Sequence, residues 1–126
     1  MAAVAKVMEA GPGIALESRA IDAEHLARMT LGERSLEREV LALFDRQADI
    51  LLPRIRRGTP VVAAASAHAL TGSAVGIGAF KVARAAEAVE HARGCESPDA
   101  AVAATIDRLA TVLEEAKAEI ARLLRV

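Results

Sequence analysis

The chain has no tryptophan and no tyrosine, two phenylalanines and one cysteine among its 126 residues. With aromatics at 2% there is no stacking platform for single-stranded nucleic acid, and 16 basic residues against 17 acidic ones leave no basic footprint for a duplex. Nucleic acid is therefore not an expected partner. The lone Cys95 rules out an internal disulfide framework and suits a reducing compartment, so the expected location is cytoplasmic. Met1 to Lys6 carries no basic stretch followed by a sustained apolar run, and no secretory signal is expected. His25, His68, His91 and Cys95 present no zinc-ligand pattern, so no metal site is expected.

Charge is missing altogether between Gly58 and Phe80, a stretch about as long as a membrane span and flanked by Arg56, Arg57 and Lys81. Pro60, Ser66, His68, Thr71, Ser73 and three glycines make it too polar, and too poor in Leu and Ile, for that role, so no membrane is expected. What is abundant is Ala, Leu, Val, Glu and Arg, the composition of packed helices. The fold class is therefore all-α. At 53% hydrophobic the chain can fill one core in one domain.

Residues 1–18, with Gly11-Pro12-Gly13 and no sustained period, read as a flexible lead, which leaves 19–126 as the domain. Asp22 is placed to cap a short helix carrying Ile21, Leu26 and Met29, with His25 at its surface. Ser35 is placed to cap a long helix whose stripe runs Leu36, Val40, Leu43 or Phe44, Gln47, Leu51 and Ile55. Pro53 predicts a bend or a frayed last turn. Gly58-Thr59-Pro60 reads as stop, cap and first-turn proline, making an antiparallel hairpin with a helix that starts near Pro60. After Gly76-Ile77-Gly78 a further helix carries Phe80, Ala83, Ala86 and Val89, with His91 at its surface near the end at Gly94. Ser97-Pro98-Asp99 reads as cap, first-turn proline and first-turn acid and opens the last helix, whose seam Val102, Ile106, Leu109, Leu113, Ala116, Ile120 and Leu123 steps by four and three.

The uncharged helix holds one residue that invites chemistry. On a helical wheel Val61, Ala64, Ala65, Thr71, Gly72 and Val75 fall within about 60° of His68, and Leu70 lies on the far side. The imidazole therefore stands among small residues, with Ala64, Ala65 and Val75 as a docking face. Gly72 removes the side chain that would lean back over it, at a cost of about 1 kcal/mol relative to alanine. Reflection through the first hairpin brings Gln47 and Arg46 within a turn of His68, and reflection through the second brings Arg84 closest. No nucleophile elbow and no phosphate-binding loop accompany this histidine. What remains is an accessible imidazole acting as a nucleophile toward phosphorus, with in-line positioning and charge neutralisation supplied by a partner.

His68-Ala69-Leu70-Thr71-Gly72-Ser73-Ala74, with Gly78 ten residues after the histidine, resembles the signature of histidine-containing phosphotransfer (HPt) domains, H-x-L-K-G-S-S/A-x-x-x-G. Phe44-Asp45-Arg46-Gln47 is similar to the family's phenylalanine with a glutamine three residues on, hydrogen-bonded to the histidine. The resemblance implies an antiparallel up-down four-helix bundle with a short extra N-terminal helix. It implies that His68 is the phosphoacceptor, oriented by Gln47, and that Gly72 clears the way for a docking receiver domain. It implies a monomeric phosphorelay intermediate without ATP binding or kinase activity, passing phosphate from one receiver domain to another, with response-regulator receiver domains and a hybrid histidine kinase as the expected partners. No cofactor would sit on this chain, and Mg2+ would belong to the partner receiver. Thr71 departs from the family pattern, standing where its members carry lysine. A neutral hydroxyl cannot replace that charge, and the alternative expectation is a helical module that binds receivers without transferring phosphate.

Overall fold

The computed structural model describes residues 19–126, and the lead expected over residues 1–18 lies outside them. The described residues form five helices and no strand: α1 (Ala23–Met29), α2 (Arg34–Arg57), α3 (Pro60–Ile77), α4 (Phe80–Gly94) and α5 (Asp99–Arg125). The all-α expectation follows from a chain rich in good helix formers, with glycine and proline confined largely to the joints.

Local chemistry sets the boundaries. Asp22 caps α1, its carboxylate accepting from the His25 amide at 3.1 Å. Thr59 caps α3 by accepting from the Val62 amide at 3.3 Å, and Pro60 occupies the first turn, where a missing N–H costs nothing. Helix α3 stops at Gly78, whose φ of 80° is left-handed, and the Ala79 amide then donates to the Ala74 carbonyl at 2.8 Å. A side chain at Gly78 is excluded twice over, because its Cβ would also lie 2.8 Å from the Asp22 carbonyl oxygen. Two expected caps are corrected. Helix α2 starts at Arg34 with Glu33 as N-cap, so Ser35 lies inside the first turn; α5 has Pro98 at its N-cap and takes no side-chain bond from Ser97. Pro53 does not fray α2, whose end is closed by the Gly58 amide donating to the Arg54 carbonyl at 2.8 Å.

Helix α3 packs on α2 and α4, α4 on α5, and α5 back on α2, while α1 rests on α3. The α5 seam is buried as expected from Val102 to Ile120, with Leu123 partly covered. On α2 the core takes Leu41, Phe44, Ala48 and Ile55, and Leu36 of the expected stripe stands 37% exposed outside it. The α3–α4 contact is built from Ala67, Ala74, Ala83 and Ala86, small side chains that let the two backbones approach closely. Lys117 ties α5 to α2, donating to the carboxylates of Asp45 at 2.6 Å and Asp49 at 2.9 Å. Burial pulls the Lys117 pKa down, but the hydrogen bonds and charges of the two aspartates together outweigh it and hold the ammonium above its ordinary value. Among the described residues, α3 alone is long and apolar enough to cross a membrane by length and composition.

Candidate functional site

Helix α3 presents His68 to solvent, with 76% of its side chain exposed. Its neighbour is one that the sequence reading did not name. On α4, Ala83, Ala86 and Glu90 fall on one face; the two alanines are buried toward α3 and Glu90 stands half-buried at the edge. The Glu90 carboxylate oxygens lie 3.1 and 3.2 Å from His68 Nδ1. An ionised carboxylate can only accept, so this contact places a proton on Nδ1, and in the neutral ring the lone pair then belongs to Nε2. Nε2 has no hydrogen-bond partner among the described residues.

Gln47 does not orient this ring. Its Oε1 accepts from Ser73 Oγ at 2.8 Å, and Ser73 stands about 140° around the α3 wheel from His68. A side chain satisfied on one of these faces cannot reach the other. Arg84, expected as the nearest base on α4, is exposed there, and it is the carboxylate of Glu90 that meets the imidazole. Thr71 is half-buried, and its hydroxyl turns back to donate to the Ala67 carbonyl at 3.0 Å. It contributes neither charge nor an outward-pointing donor to the space above His68.

Gly72 is exposed, and a Cβ built there would meet nothing within 4 Å. Packing within the described residues therefore does not require glycine at this position. Of the expected docking face, Ala65 and Val75 are exposed, Val75 at 42%, whereas Ala64 is half-buried on the α4 side. The open arc is thus displaced from His68 toward α2.

His25 is not a plain surface residue. It is half-buried, its Nε2 lies 2.8 Å from the Val75 carbonyl oxygen, and its ring meets Phe80 edge-on at 5.0 Å between centroids. A carbonyl also only accepts, so Nε2–H donates here and ties α1 to the last turn of α3. His91 and Cys95 stand one turn apart with Nε2 and Sγ 3.8 Å from each other, but no group of three potential ligands able to hold a metal occurs among the described residues. In comparisons with protein-family models, with curated proteins and with solved structures, no match to this chain is found.

Proposed function

We propose that the protein is a phosphorelay intermediate, a histidine phosphotransfer protein of the HPt type. Its four long helices form an antiparallel up-down four-helix bundle with α1 as the short extra helix. His68 takes a phosphoryl group from the aspartyl phosphate of one receiver domain and passes it to the aspartate of another. The observation that carries this reading is the exposed imidazole with Nδ1 held by Glu90.

In the forward step the Nε2 lone pair attacks phosphorus, an N–P bond forms, and the P–O bond to the aspartyl group breaks with its electron pair leaving on the carboxylate. The proton on Nδ1 stays in place, so the ring gains positive charge as the bond forms. Glu90 faces that charge at hydrogen-bond distance. The chain supplies a positioned nucleophile and a counter-charge to the ring, while neutralisation of the phosphoryl oxygens falls to the partner receiver and its Mg2+. Nucleotide binding and kinase activity have no part in the proposal; the protein is a cytoplasmic carrier between receiver domains.

Incubation with a phosphorylated receiver tests the proposal. The expected result is an acid-labile label on His68 that is absent from His68→Gln; equal labelling of that variant refutes it. The second reading, a module that binds receivers without turnover, is favoured by the inward bond of Thr71, which leaves no cation of that turn beside the imidazole. Receiver binding that persists in His68→Ala, with no label on the wild type, would select it.

A further inference from the structure

Among the described residues a single buried side-chain polar atom has no hydrogen-bond partner, Arg93 Nε. Arg93 stands half-buried in the last turn of α4, and its guanidinium makes no hydrogen bond or ion pair with any described residue. A guanidinium keeps its charge and carries five N–H donors, so a half-buried one ordinarily rests on a carboxylate or a carbonyl. Carboxylates are at hand. Arg93 lines a cavity of about 250 Å³ at the end of the bundle where α2 and α4 finish and α5 begins. Asp99, Asp107 and Arg56 line it too, over a floor of buried Val102 and Ile106.

Two pairs of opposite charge are available in this cavity, and only one is made. Arg56 meets Asp107 at 3.7 Å. Arg93 and Asp99 stay apart, and neither has an ion-pair partner among the described residues. We propose that the cavity binds a small zwitterion of the α-amino acid class, its carboxylate resting on Arg93 and its ammonium facing Asp99. The proposal stands on this end of the bundle alone and is independent of the function of His68.

Charge selects this class of ligand. A plain anion meets Arg93 together with two carboxylates, and a plain cation meets Asp99 together with two guanidiniums. A molecule bearing both charges is attracted at each end. Arg93 Nε is covered, so its N–H is satisfied only when the guanidinium turns toward an acceptor, and a carboxylate offers two oxygens in a plane that matches the guanidinium fork. Size narrows the class further. At about 250 Å³ the cavity falls below the range of about 300–1,000 Å³ that suits drug-sized ligands. The Val102 and Ile106 floor favours a short aliphatic side chain on the occupant.

The test is an NMR titration of the full nitrogen-15-labelled chain with the standard amino acids one at a time, and with acetate and methylammonium, which each carry one of the two charges. At least one aliphatic amino acid is expected to shift the Arg93 Nε–H resonance and the Ala103 backbone amide saturably and to raise the thermal unfolding temperature. Acetate and methylammonium at the same concentration should do neither. Asp99→Asn should weaken binding about tenfold or more with helicity unchanged, and Arg93→Gln should abolish it. Asp99 is exposed, so its variant decides the matter even where Arg93→Gln fails to fold. No shift with any amino acid, or wild-type affinity in Asp99→Asn, overturns the proposal. Acetate binding as tightly as the amino acid overturns it as well, by making the cavity a site for anions alone.

Discussion

Replacing Glu90 by glutamine or alanine separates the two things its carboxylate does for His68. At 3.1 Å the Coulomb attraction between a carboxylate and an imidazolium is about 5 kcal/mol at an effective dielectric constant of 20 and about 1.3 kcal/mol in bulk water. The side chains are 76% and 38% exposed, so the watery limit applies, and about 1 kcal/mol remains for the charge that develops on the ring during attack. Glu90→Gln keeps an acceptor near Nδ1 but removes the charge, so labelling of His68 by phosphoramidate should slow about fivefold. Glu90→Ala also removes the acceptor. The ring can then carry its proton on Nε2, the nitrogen that must attack, and the rate should fall about tenfold or more. Nitrogen-15 NMR of the imidazole should show the Nδ1–H tautomer dominant in the wild type, retained in Glu90→Gln and depleted in Glu90→Ala. Equal rates in all three proteins, or an unchanged tautomer in Glu90→Ala, would refute the assignment of Glu90 to the site.

Gly72→Ala should stabilise the fold by about 0.5–1 kcal/mol in urea unfolding, because its Cβ meets nothing, whereas Gly72→Leu should slow transfer from a receiver without slowing labelling by phosphoramidate. Gly78→Ala should destabilise by about 1–3 kcal/mol or more in the same assay, since it combines a φ of 80° with a Cβ 2.8 Å from the Asp22 carbonyl oxygen; wild-type stability would contradict the turn geometry. The Lys117 pKa is raised in the folded state, so its ion pairs contribute stability in full below the ordinary lysine value of 10.5, and that contribution is lost as pH rises through the folded value. The stability difference between wild type and Lys117→Met should accordingly be constant from neutral pH to about 10 and shrink at higher pH, measured by thermal unfolding; a difference that shrinks on acidification only through protonation of Asp45 and Asp49, with none on the alkaline side, would contradict it.

The helices were legible because their signals are local. The four-three seam of α5 and the Gly58-Thr59-Pro60 joint each act through residues within one or two turns, and both stand as expected. Ser35 and Ser97 misled because a good capping residue competes with its neighbours, and the neighbours at 33 and 98 took the position. Within the site, the exposure of His68 and the open space at Gly72 followed from the α3 wheel alone. Its partners did not, because the register between helices depends on how side chains of different size mesh. Reflection through a loop locates a residue to within a turn but says nothing about which face it presents. Adding the α4 wheel would have found Glu90, which shares a face with Ala83 and Ala86; adding the α2 and α3 wheels together would have sent Gln47 to Ser73.

Helices ordinarily settle their rotation about their own axis by contrast, with an oily side turned inward and a charged side outward. Helix α3 has no charged side, and alanines stand on both its buried and its exposed faces. Of its large aliphatic side chains only Leu70 and Ile77 are buried and hold it by burial, and a roll by a fraction of a turn would swing His68 away from Glu90. The roll is stopped by polar pins at separate heights: Ser73 against Gln47, the Val75 carbonyl against His25, and the left-handed lock at Gly78. Residues that never touch phosphate thereby set the bearing of the one that would.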